Sequence, residues 1–414
     1  MTPNNLNRDA MCKGNQCRAG GLHFTVIGMT DAREVWFPPQ VCDAIAAGRV
    51  FSGGKRHHEI VAPLLPEGAR WIDITVPLEA VFAQYEKESE VVVFASGDPL
   101  FFGIANTLRR EFPEAALTVF PSFHSLQLLA HRMELAYADM RTVSLTGRPW
   151  DAFDRAVIQG ERLIGALTDR HKTPAMIASR LCEYGYTNYR MTVGECLGNR
   201  EEERVRSFAS LDEAAAADFR FPNCLILEQT QPRPHPFGLP EHDFALLDGR
   251  VNMITKMPIR MLTLSQLDLP RRTSFWDVGF CTGSVSIEAR LQFPHLKVTA
   301  FEIREAGRNL MAENARKFGA PGIDVHIGDF LAADLTGLPA PDAVFIGGHG
   351  GKLVEMLRRI DSVLLPGGVI VFNAVSEQSQ QLFREGIAAV GRRITGEMRV
   401  AVNEFNPILI LRAE

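Results

Sequence analysis

The chain lacks the features that mark membrane, secreted and nucleic-acid-binding proteins. None of its apolar runs approaches the roughly 18 residues that a membrane-spanning helix needs. The first 20 residues are polar and lack the apolar core of a secretory signal. A net charge of −5 over 414 residues argues against a nucleic-acid-binding surface. The composition therefore favours a globular protein with neither a membrane nor a nucleic acid as its partner.

Cysteine is scarce and irregularly spaced. The seven cysteines are an odd number, which is typical of reduced thiols in the cytoplasm rather than of a disulfide framework. Cys12 and Cys17 have the spacing of half a metal site, but no second ligand pair follows them. We therefore expect residues 1–20 to form a flexible tail and expect no metal site.

The length and one proline-rich segment divide the chain. At 414 residues, two or three domains are expected, and an apolar content of 46% can fill large cores. Four prolines break the segment 229–240, which cannot form a helix or a central strand. We interpret it as a linker between domains at 21–228 and 241–414.

The most informative motif lies in the second domain and runs from Asp277 to Glu288. An apolar run precedes it, glycines occupy positions 279 and 283, and helical spacing follows. This strand, turn and helix arrangement holds nucleotide-like ligands at the carboxyl edge of a parallel sheet. A dinucleotide site such as that for NAD wants glycine where this chain has Cys281 and Ser284. The pattern favours S-adenosylmethionine (SAM), while an ordinary turn around a buried glycine stays open as an alternative.

Acidic residues in and after this motif are candidate SAM contacts. Asp277 stands before the turn, where a carboxylate suits the cationic amino-acid end of SAM. Glu302 ends the next predicted strand, and we expect it to hold the ribose hydroxyls. Asp329 follows another apolar run and is expected near the adenine. The predicted cofactor-binding set of this half also includes Gly279, Cys281, Gly283 and Gly347.

Strands and helices also alternate in the first domain, which indicates an α/β fold. Its sharpest feature is the string Ala95-Ser-Gly-Asp-Pro-Leu-Phe-Phe-Gly103, which follows a run rich in valine. Gly97 allows close backbone approach, and Asp98 could cap the following helix with Pro99 in its first turn. A capped helix start explains Asp98 and Pro99 but not the whole string.

The string Ser-Gly-Asp-Pro-x-Phe-x-Gly resembles the signature loop of the tetrapyrrole methyltransferases, in which SAM lies between two α/β lobes. Pro121–Ser125, Leu145–Arg148, Leu167–Asp169 and Gly194–Gly198 resemble later segments of that family. The resemblance implies a two-lobed fold over 21–228, split near residue 122. It also implies SAM contacts at the following residues: Gly28, Ser96, Gly97, Asp98, Phe101, Gly103, Ser125 and Thr168.

The second domain resembles another family, the decarboxylating precorrin methyltransferases of vitamin B12 synthesis. The resemblance rests on Met253–Lys256, Arg260–Ser265, Val344–Gly351 and Leu365–Asn373, which surround the Asp277 motif. It implies a Rossmann-like methyltransferase domain. Here Lys256 and Arg260 could bind substrate carboxylates and His349 could shuttle a proton. The alternative for Lys256 and Arg260 is a solvated helix start, and the alternative for His349 is a solvent-facing loop histidine.

The two halves in this order resemble fused enzymes of cobalamin biosynthesis. The resemblance implies methylation of a precorrin at meso carbon 5 by the first half, and at carbon 15 with loss of the ring C acetate carboxyl by the second. It implies two SAM sites per chain, a homo-oligomer such as a tetramer formed through the C-terminal domain, and hand-over to neighbouring pathway enzymes.

Two positions depart from the family patterns. Gly28-Met-Thr-Asp31 lacks the later glycines of the usual first loop, and Cys281 replaces a glycine that faces SAM. We therefore expect Cys281 to narrow the pocket without closing it. An alternative is that only one half is catalytic and the other is a tetrapyrrole-binding or assembly module. A nucleic-acid methyltransferase would need a basic or aromatic stripe that the sequence lacks.

Overall fold

The computed structural model describes residues 21–403 and 406–414 and contains three β-sheets. The expectations for the N-terminal tail, including Cys12 and Cys17, lie outside these residues. The fold is α/β throughout, as the alternating pattern predicts. Among the described residues no helix is long and apolar enough to cross a membrane, and no group of three or more metal-ligating side chains occurs.

The first sheet is built from five parallel strands in the order β3-β2-β4-β1-β5. Its central strand has the buried run Val91-Val-Val-Phe94, whose β-branched side chains suit a strand covered on both faces. The strands are β1 (His23–Met29), β2 (Val50–Gly53), β3 (Arg70–Asp73), β4 (Glu90–Ser96) and β5 (Ala116–Phe120). The helices are α1 (Pro39–Ala47), α2 (Lys55–Val61), α3 (Glu79–Tyr85), α4 (Ile104–Glu111) and α5 (Ser125–Arg132).

The second sheet also has five strands, in the order β6-β7-β10-β8-β9. Its strands are β6 (Arg141–Ser144), β7 (Leu163–Leu167), β8 (Tyr189–Glu195), β9 (Arg204–Phe208) and β10 (Asn223–Gln229). Its helices are α6 (Asp151–Ile158), α7 (Pro174–Glu183) and α8 (Leu211–Ala215).

The third sheet has seven strands in the order β13-β12-β11-β14-β15-β17-β16, with only the last two pairings antiparallel. Two buried apolar clusters, built entirely from residues after position 258, form its core. The strands are β11 (Ser274–Val278), β12 (Lys297–Glu302), β13 (Ile323–Ile327), β14 (Ala343–Ile346), β15 (Val369–Ala374), β16 (Ile394–Val400) and β17 (Ile408–Ala413). The helices are α9 (Met257–Gln266), α10 (Ser284–Gln292), α11 (Ala306–Phe318), α12 (Leu353–Asp361) and α13 (Glu377–Ala389).

The chain forms two compact units whose limits differ from the predicted division at 229–240. Of the described residues, one unit comprises those up to Tyr137 with Val193–Arg206 and Arg220–Cys224, and the other comprises the remaining segments. Within the second unit, the Tyr186 hydroxyl donates to the Gly319 carbonyl, and Lys297 pairs with Asp151. Side chains of the second sheet's helices and loops therefore contact the C-terminal domain directly. The predicted domain boundaries stay a prediction.

The second part of the proline-rich segment packs against the C-terminal domain. The backbone N–H groups of Gly238 and Leu239 donate to the Glu288 carboxylate on α10, at 2.9 and 3.0 Å. Leu239 is itself buried, and its carbonyl accepts from Arg260. Residues 238–239 thus supply hydrogen-bond partners for two buried charges, so this part of the segment is not a free linker.

Candidate functional site

The signature loop of the N-terminal half follows β4 at the carboxyl edge of the first sheet. Gly97 adopts a left-handed φ of 65°, and Phe101 stacks on His124 with ring centroids 3.7 Å apart. A Cβ on Gly28 would lie 2.1 Å from the Gly97 carbonyl oxygen, so only glycine fits at the end of β1. The backbones of the first and fourth strand ends therefore pack in direct contact.

The helix after this loop begins later than predicted. Asp98 does not cap it; the Asp98 carboxylate accepts from the Leu100 N–H at 2.9 Å and closes a local turn. Gly103 stands at the N-cap of α4, where a Cβ would lie 2.5 Å from the Pro99 carbonyl oxygen. The prediction for Asp98 as a helix cap is wrong because the short polar side chain is used within the loop.

The other predicted residues of the N-terminal half occupy two places. Ser125 begins α5, whose N-cap His124 accepts from the Gln127 N–H through Nδ1. Thr168 follows β7 in the second compact unit, is buried, and its carbonyl accepts from the Thr146 hydroxyl at 3.0 Å. Contact of these residues with SAM stays a prediction.

A cavity of about 780 Å³ opens at the carboxyl ends of the parallel strands of the third sheet. This volume lies within the range of small-molecule sites, and its position is the usual ligand position of open α/β sheets. Seven of the predicted site residues line it: Lys256, Gly279, Cys281, Glu302, Asp329, Gly347 and His349.

Glu302 joins the two loops that frame the cavity. One of its carboxylate oxygens accepts from the Cys281 N–H at 2.9 Å, and the other accepts from the Arg304 N–H at 3.0 Å. The carboxylate is nearly buried at the end of β12. A carboxylate has about four lone-pair positions, so Glu302 can accept further hydrogen bonds from a ligand hydroxyl.

Cys281 adopts a left-handed backbone conformation with φ of 53°. This conformation is unfavourable for a side chain with a Cβ and is natural for glycine. Its hydrogen bond to Glu302 holds the turn in place, and burial raises the pKa of the thiol, so the group stays neutral. Cys281 lines the cavity and is partly exposed, and its narrowing of a SAM pocket stays a prediction.

Two glycine segments that line the cavity approach each other closely. A Cβ on Gly279 would lie 2.6 Å from the Gly348 nitrogen, and the Gly347 N–H donates to the Val278 carbonyl at 2.8 Å. The motif after β11 and the glycine-rich loop after β14 are therefore packed backbone to backbone.

Asp329 and Lys352 form an ion pair at the edge of the cavity. The Lys352 ammonium lies 2.8 Å from one Asp329 oxygen, and the other oxygen accepts from the Leu331 N–H. These contacts lower the pKa of Asp329, with the Lys352 hydrogen bond as the main cause. Lys352, together with the lining residues Arg304 and Asn373, was not predicted from the sequence.

Asp277 and Gly283 lie behind the cavity wall rather than in it. One oxygen of the fully buried Asp277 accepts from the Ser286 N–H and hydroxyl, at 3.1 and 2.6 Å, while the other has no protein partner. Burial raises the pKa of Asp277 to about 7 against the effect of these hydrogen bonds. Gly283 is the left-handed N-cap of α10. Both positions shape the turn in the structure.

His349 and Lys256 are the two predicted catalytic residues that line the cavity. The His349 Nδ1 accepts from the Gly351 N–H at 3.1 Å, which assigns the proton of the neutral ring to Nε2. Partial burial lowers the pKa of His349, so the ring is neutral at pH 7. The Lys256 ammonium donates to the Val251 carbonyl at 2.8 Å, just before α9 begins.

The structure corrects the prediction for Arg260. Its side chain is fully buried and does not line the cavity. The guanidinium donates to the Thr255 and Leu239 carbonyls, and its Nε lies 3.3 Å from Glu288. A group with these partners cannot reach a substrate carboxylate, so Arg260 holds the segment before α9 onto α10.

Models of two protein families match successive parts of the chain. Residues 39–214 match the tetrapyrrole (corrin/porphyrin) methylases, and residues 247–412 match the precorrin methyltransferase domain. Two different methyltransferase folds therefore share one polypeptide, and the protein is a SAM-dependent methyltransferase.

The relatives that resemble it follow the same division. It is 32% identical over 93% of its length to the precorrin-6Y C(5,15)-methyltransferase [decarboxylating] of Sinorhizobium sp, of which 92% is covered. Two proteins of Salmonella typhimurium each match one half of the chain. The cobalt-precorrin-6B C(15)-methyltransferase (decarboxylating) is 39% identical over 40% of this chain and 85% of its own length. The cobalt-precorrin-7 C(5)-methyltransferase is 28% identical over 50% of this chain and 99% of its own length. The chain belongs to the family of precorrin-6Y C(5,15)-methyltransferases (decarboxylating).

Proposed function

We propose that this chain methylates a precorrin at meso carbons 5 and 15 and removes the carboxyl group of the ring C acetate, with one SAM site in each half. The observation that carries the proposal is the full-length similarity to the Sinorhizobium enzyme, because both halves and their order are shared. The C5 reaction is assigned to the N-terminal half and the C15 reaction with decarboxylation to the C-terminal half.

The C-terminal cavity offers hydrogen-bond acceptors that suit SAM. Glu302 and Asp329 follow adjacent parallel strands, so their carboxylates lie at one edge as acceptors for ribose hydroxyls and an adenine amino group. Gly279 and Gly347 line the same cavity without side chains and so leave room for the ligand beside these carboxylates. Bound SAM supplies an already activated methyl group, so the protein needs to align the partners more than to supply a strong base.

The residues on the substrate side of this cavity suit decarboxylation without a metal. Carbon dioxide leaves when the bond from the acetate methylene to its carboxylate breaks, and the electron pair enters the conjugated imines of the macrocycle. The methylene carbon then needs a proton. We assign the delivery of this proton to His349, which relays a proton from water through Nε2 so that the ring is neutral before and after the transfer, and we assign Lys256 to a peripheral carboxylate of the ring.

The partners and the location are proposed from the resemblance and the composition alone. We propose a homo-oligomer formed through the C-terminal domain, for which light scattering coupled to gel filtration is the direct measurement. Five cysteines among the described residues are free thiols. The proposed location is the cytoplasm, with hand-over of the product to neighbouring cobalamin-pathway enzymes.

The deciding experiment for the function is incubation of the full chain with SAM and a precorrin, followed by mass spectrometry. Gain of two methyl groups and loss of one carbon dioxide support the proposal. Gain of a single methyl group by a competent substrate favours the alternative in which only one half is catalytic. His349→Gln should retain SAM binding while the decarboxylation slows.

A further inference from the structure

Arg56 and His57 both contact Ser96 of the N-terminal signature loop. The Arg56 Nη2 donates to the Ser96 hydroxyl at 3.0 Å, and His57 Nε2 lies 2.9 Å from the same oxygen. The Arg56 Nε lies 3.1 Å from an oxygen of Asp31. Asp31 follows β1, Arg56 and His57 follow β2, and Ser96 ends β4; these strands are neighbours in a parallel sheet, so their carboxyl ends meet at one edge.

The guanidinium of Arg56 is fixed along one side and open along the other. Asp31 is 6% exposed, whereas the Arg56 side chain is 31% exposed. Nη2 donates to Ser96 and Nε lies at ion-pair distance from Asp31, which leaves the N–H groups of Nη1 without a protein partner among residues 21–403 and 406–414. An arginine held in this way presents a preorganised fork to a carboxylate.

His57 supports this arrangement as a neutral hydrogen-bond donor. Its Nδ1 accepts from the Gly54 N–H at 3.3 Å, which assigns the proton to Nε2 and directs it to Ser96. Burial, and secondly the charge of Arg56, lowers the pKa of His57 to about 4. Because Ser96 accepts from both side chains, its own hydroxyl proton is left to donate elsewhere.

Exposed apolar side chains occupy loops at the same edge of the sheet. Trp36 is 80% exposed, Val76 89% and Phe123 54%, and they follow β1, β3 and β5 respectively. The three loops are spread along this edge from β3 to β5, and exposed apolar side chains there suit contact with a large apolar ligand. A ligand that is apolar on its faces and acidic at its rim would match both these groups and Arg56.

We propose that Arg56 binds a peripheral carboxylate of the tetrapyrrole in the N-terminal half, and that Asp31, Ser96 and His57 position its guanidinium. This rests on the proposed function, because the ligand is the precorrin of the C5 reaction. The methionine end of SAM also carries a carboxylate, so the test has to separate the two sources.

The test uses the full chain with precorrin and SAM carrying a ¹³C-labelled methyl group, so that nuclear magnetic resonance resolves the methyl groups at carbons 5 and 15. Arg56→Gln should raise the KM for precorrin in the C5 reaction about ten- to a hundredfold, the usual effect of losing a charge-assisted hydrogen bond. Its KM for SAM and the C15 reaction should not change. The KM of Arg56→Lys for precorrin should lie between those of the wild type and Arg56→Gln, because an ammonium keeps the charge but cannot form the two parallel hydrogen bonds of a guanidinium.

Lys55→Gln is the matched control, since it removes a positive charge from an exposed neighbour on α2. It should behave as the wild type. A raised KM for SAM with an unchanged KM for precorrin would overturn the proposal and assign Arg56 to the methionine carboxylate. Unchanged values for both would also overturn it.

A second variant distinguishes the loss of precorrin binding in Arg56→Gln from a loss of stability. Asp31→Asn combined with Arg56→Gln removes the buried carboxylate together with its cation, and its melting temperature should exceed that of Arg56→Gln alone. The double variant has to retain the raised KM for precorrin, and a return to the wild-type KM would overturn the proposal. Failure of the proposed function is visible separately, as absence of methylation at carbon 5 by the wild type.

Discussion

The two halves of the chain place a glycine turn after a buried parallel strand, yet different side chains from the neighbouring strand ends contact it. In the N-terminal half, Ser96 before the turn accepts from Arg56 and His57. In the C-terminal half, Glu302 accepts from the turn, and Asp329 lies at the next strand end. The carboxylate acceptors of the C-terminal half suit the hydroxyl and amino donors of an adenosine group, and the open N–H groups of Arg56 suit a carboxylate.

The difference indicates that the same local geometry can serve different parts of a reaction complex. Backbone turns provide close approach in both halves, with Gly97 at φ of 65° and Cys281 at φ of 53°. The side chains from neighbouring strand ends then decide which chemical groups can bind. The comparison predicts that changes at the C-terminal turn act on SAM, whereas changes at Arg56 act on the precorrin.

The largest effect is expected at Cys281. Cys281→Phe should abolish SAM binding and C15 methylation in the C-terminal half, because a large side chain would enter the cavity at the turn. C5 methylation should continue. Cys281→Gly relieves a left-handed conformation that costs roughly 1–2 kcal/mol for a residue with a Cβ, and should bind SAM as well as the wild type or more tightly.

Calorimetry and product analysis check this prediction, with Cys281→Ala as a control that keeps the backbone constraint and a small side chain. Normal SAM binding by Cys281→Phe at the C-terminal site would mean that the side chain points away from the ligand.

Glu302→Ala should weaken SAM binding at the C-terminal site about ten- to a hundredfold, since a charge-assisted hydrogen bond contributes roughly 1.5–3 kcal/mol. The N-terminal site should be unaffected. Glu305→Ala is the matched control, because Glu305 is an exposed acid three residues later that pairs with Arg308. Equal affinities for the two variants would refute the ribose assignment of Glu302.

The proposed division of the chain predicts that the C-terminal domain folds alone, and the structure indicates where to cut. Both core clusters of the third sheet lie within residues 259–413. A fragment starting at 241 loses the Gly238 and Leu239 donors to Glu288, while one starting at 235 keeps them. An unpaired buried group costs about 1–3 kcal/mol, so the longer fragment should melt several degrees higher.

Circular dichroism melting of the two fragments checks this, and SAM binding by the longer one would establish separability. If both are insoluble while the full chain is active, the C-terminal domain depends on the segments before residue 235.

A further test is the pH dependence of stability that Asp277 contributes. Burial raises its pKa to about 7, whereas an unfolded aspartate has a pKa of about 3.9. Between these values the folded chain binds the additional proton, so this group's contribution to stability falls as pH rises through the window. Asp277→Asn should remove that fall. The melting temperature of the variant minus that of the wild type should therefore be a few degrees larger at pH 8 than at pH 4.

Melting curves at both pH values test this, with Asp324→Asn as the control at an exposed carboxyl of β13. An unchanged pH dependence in Asp277→Asn would contradict the proposed protonation.

The sequence predicts the α/β class and both glycine turns because these depend on short-range patterns. It fails where distant segments determine a residue's environment. Arg260 at a predicted helix start is buried because Leu239 and Glu288 approach it from other segments. The Gly53-Gly-Lys-Arg-His-His58 run was a visible signal, but its contact with Ser96 depends on β2 pairing with β4, which spacing alone does not reveal.

The stoichiometry of SAM binding tests the central comparison most directly, since the account places one SAM beside each turn. Titration of the full wild-type chain by calorimetry should show two equivalents of SAM, and Cys281→Phe should show one, with C5 methylation retained. A wild-type chain that binds a single equivalent, all of it lost in Cys281→Phe, would contradict the account and leave the N-terminal half as a tetrapyrrole-binding or assembly module.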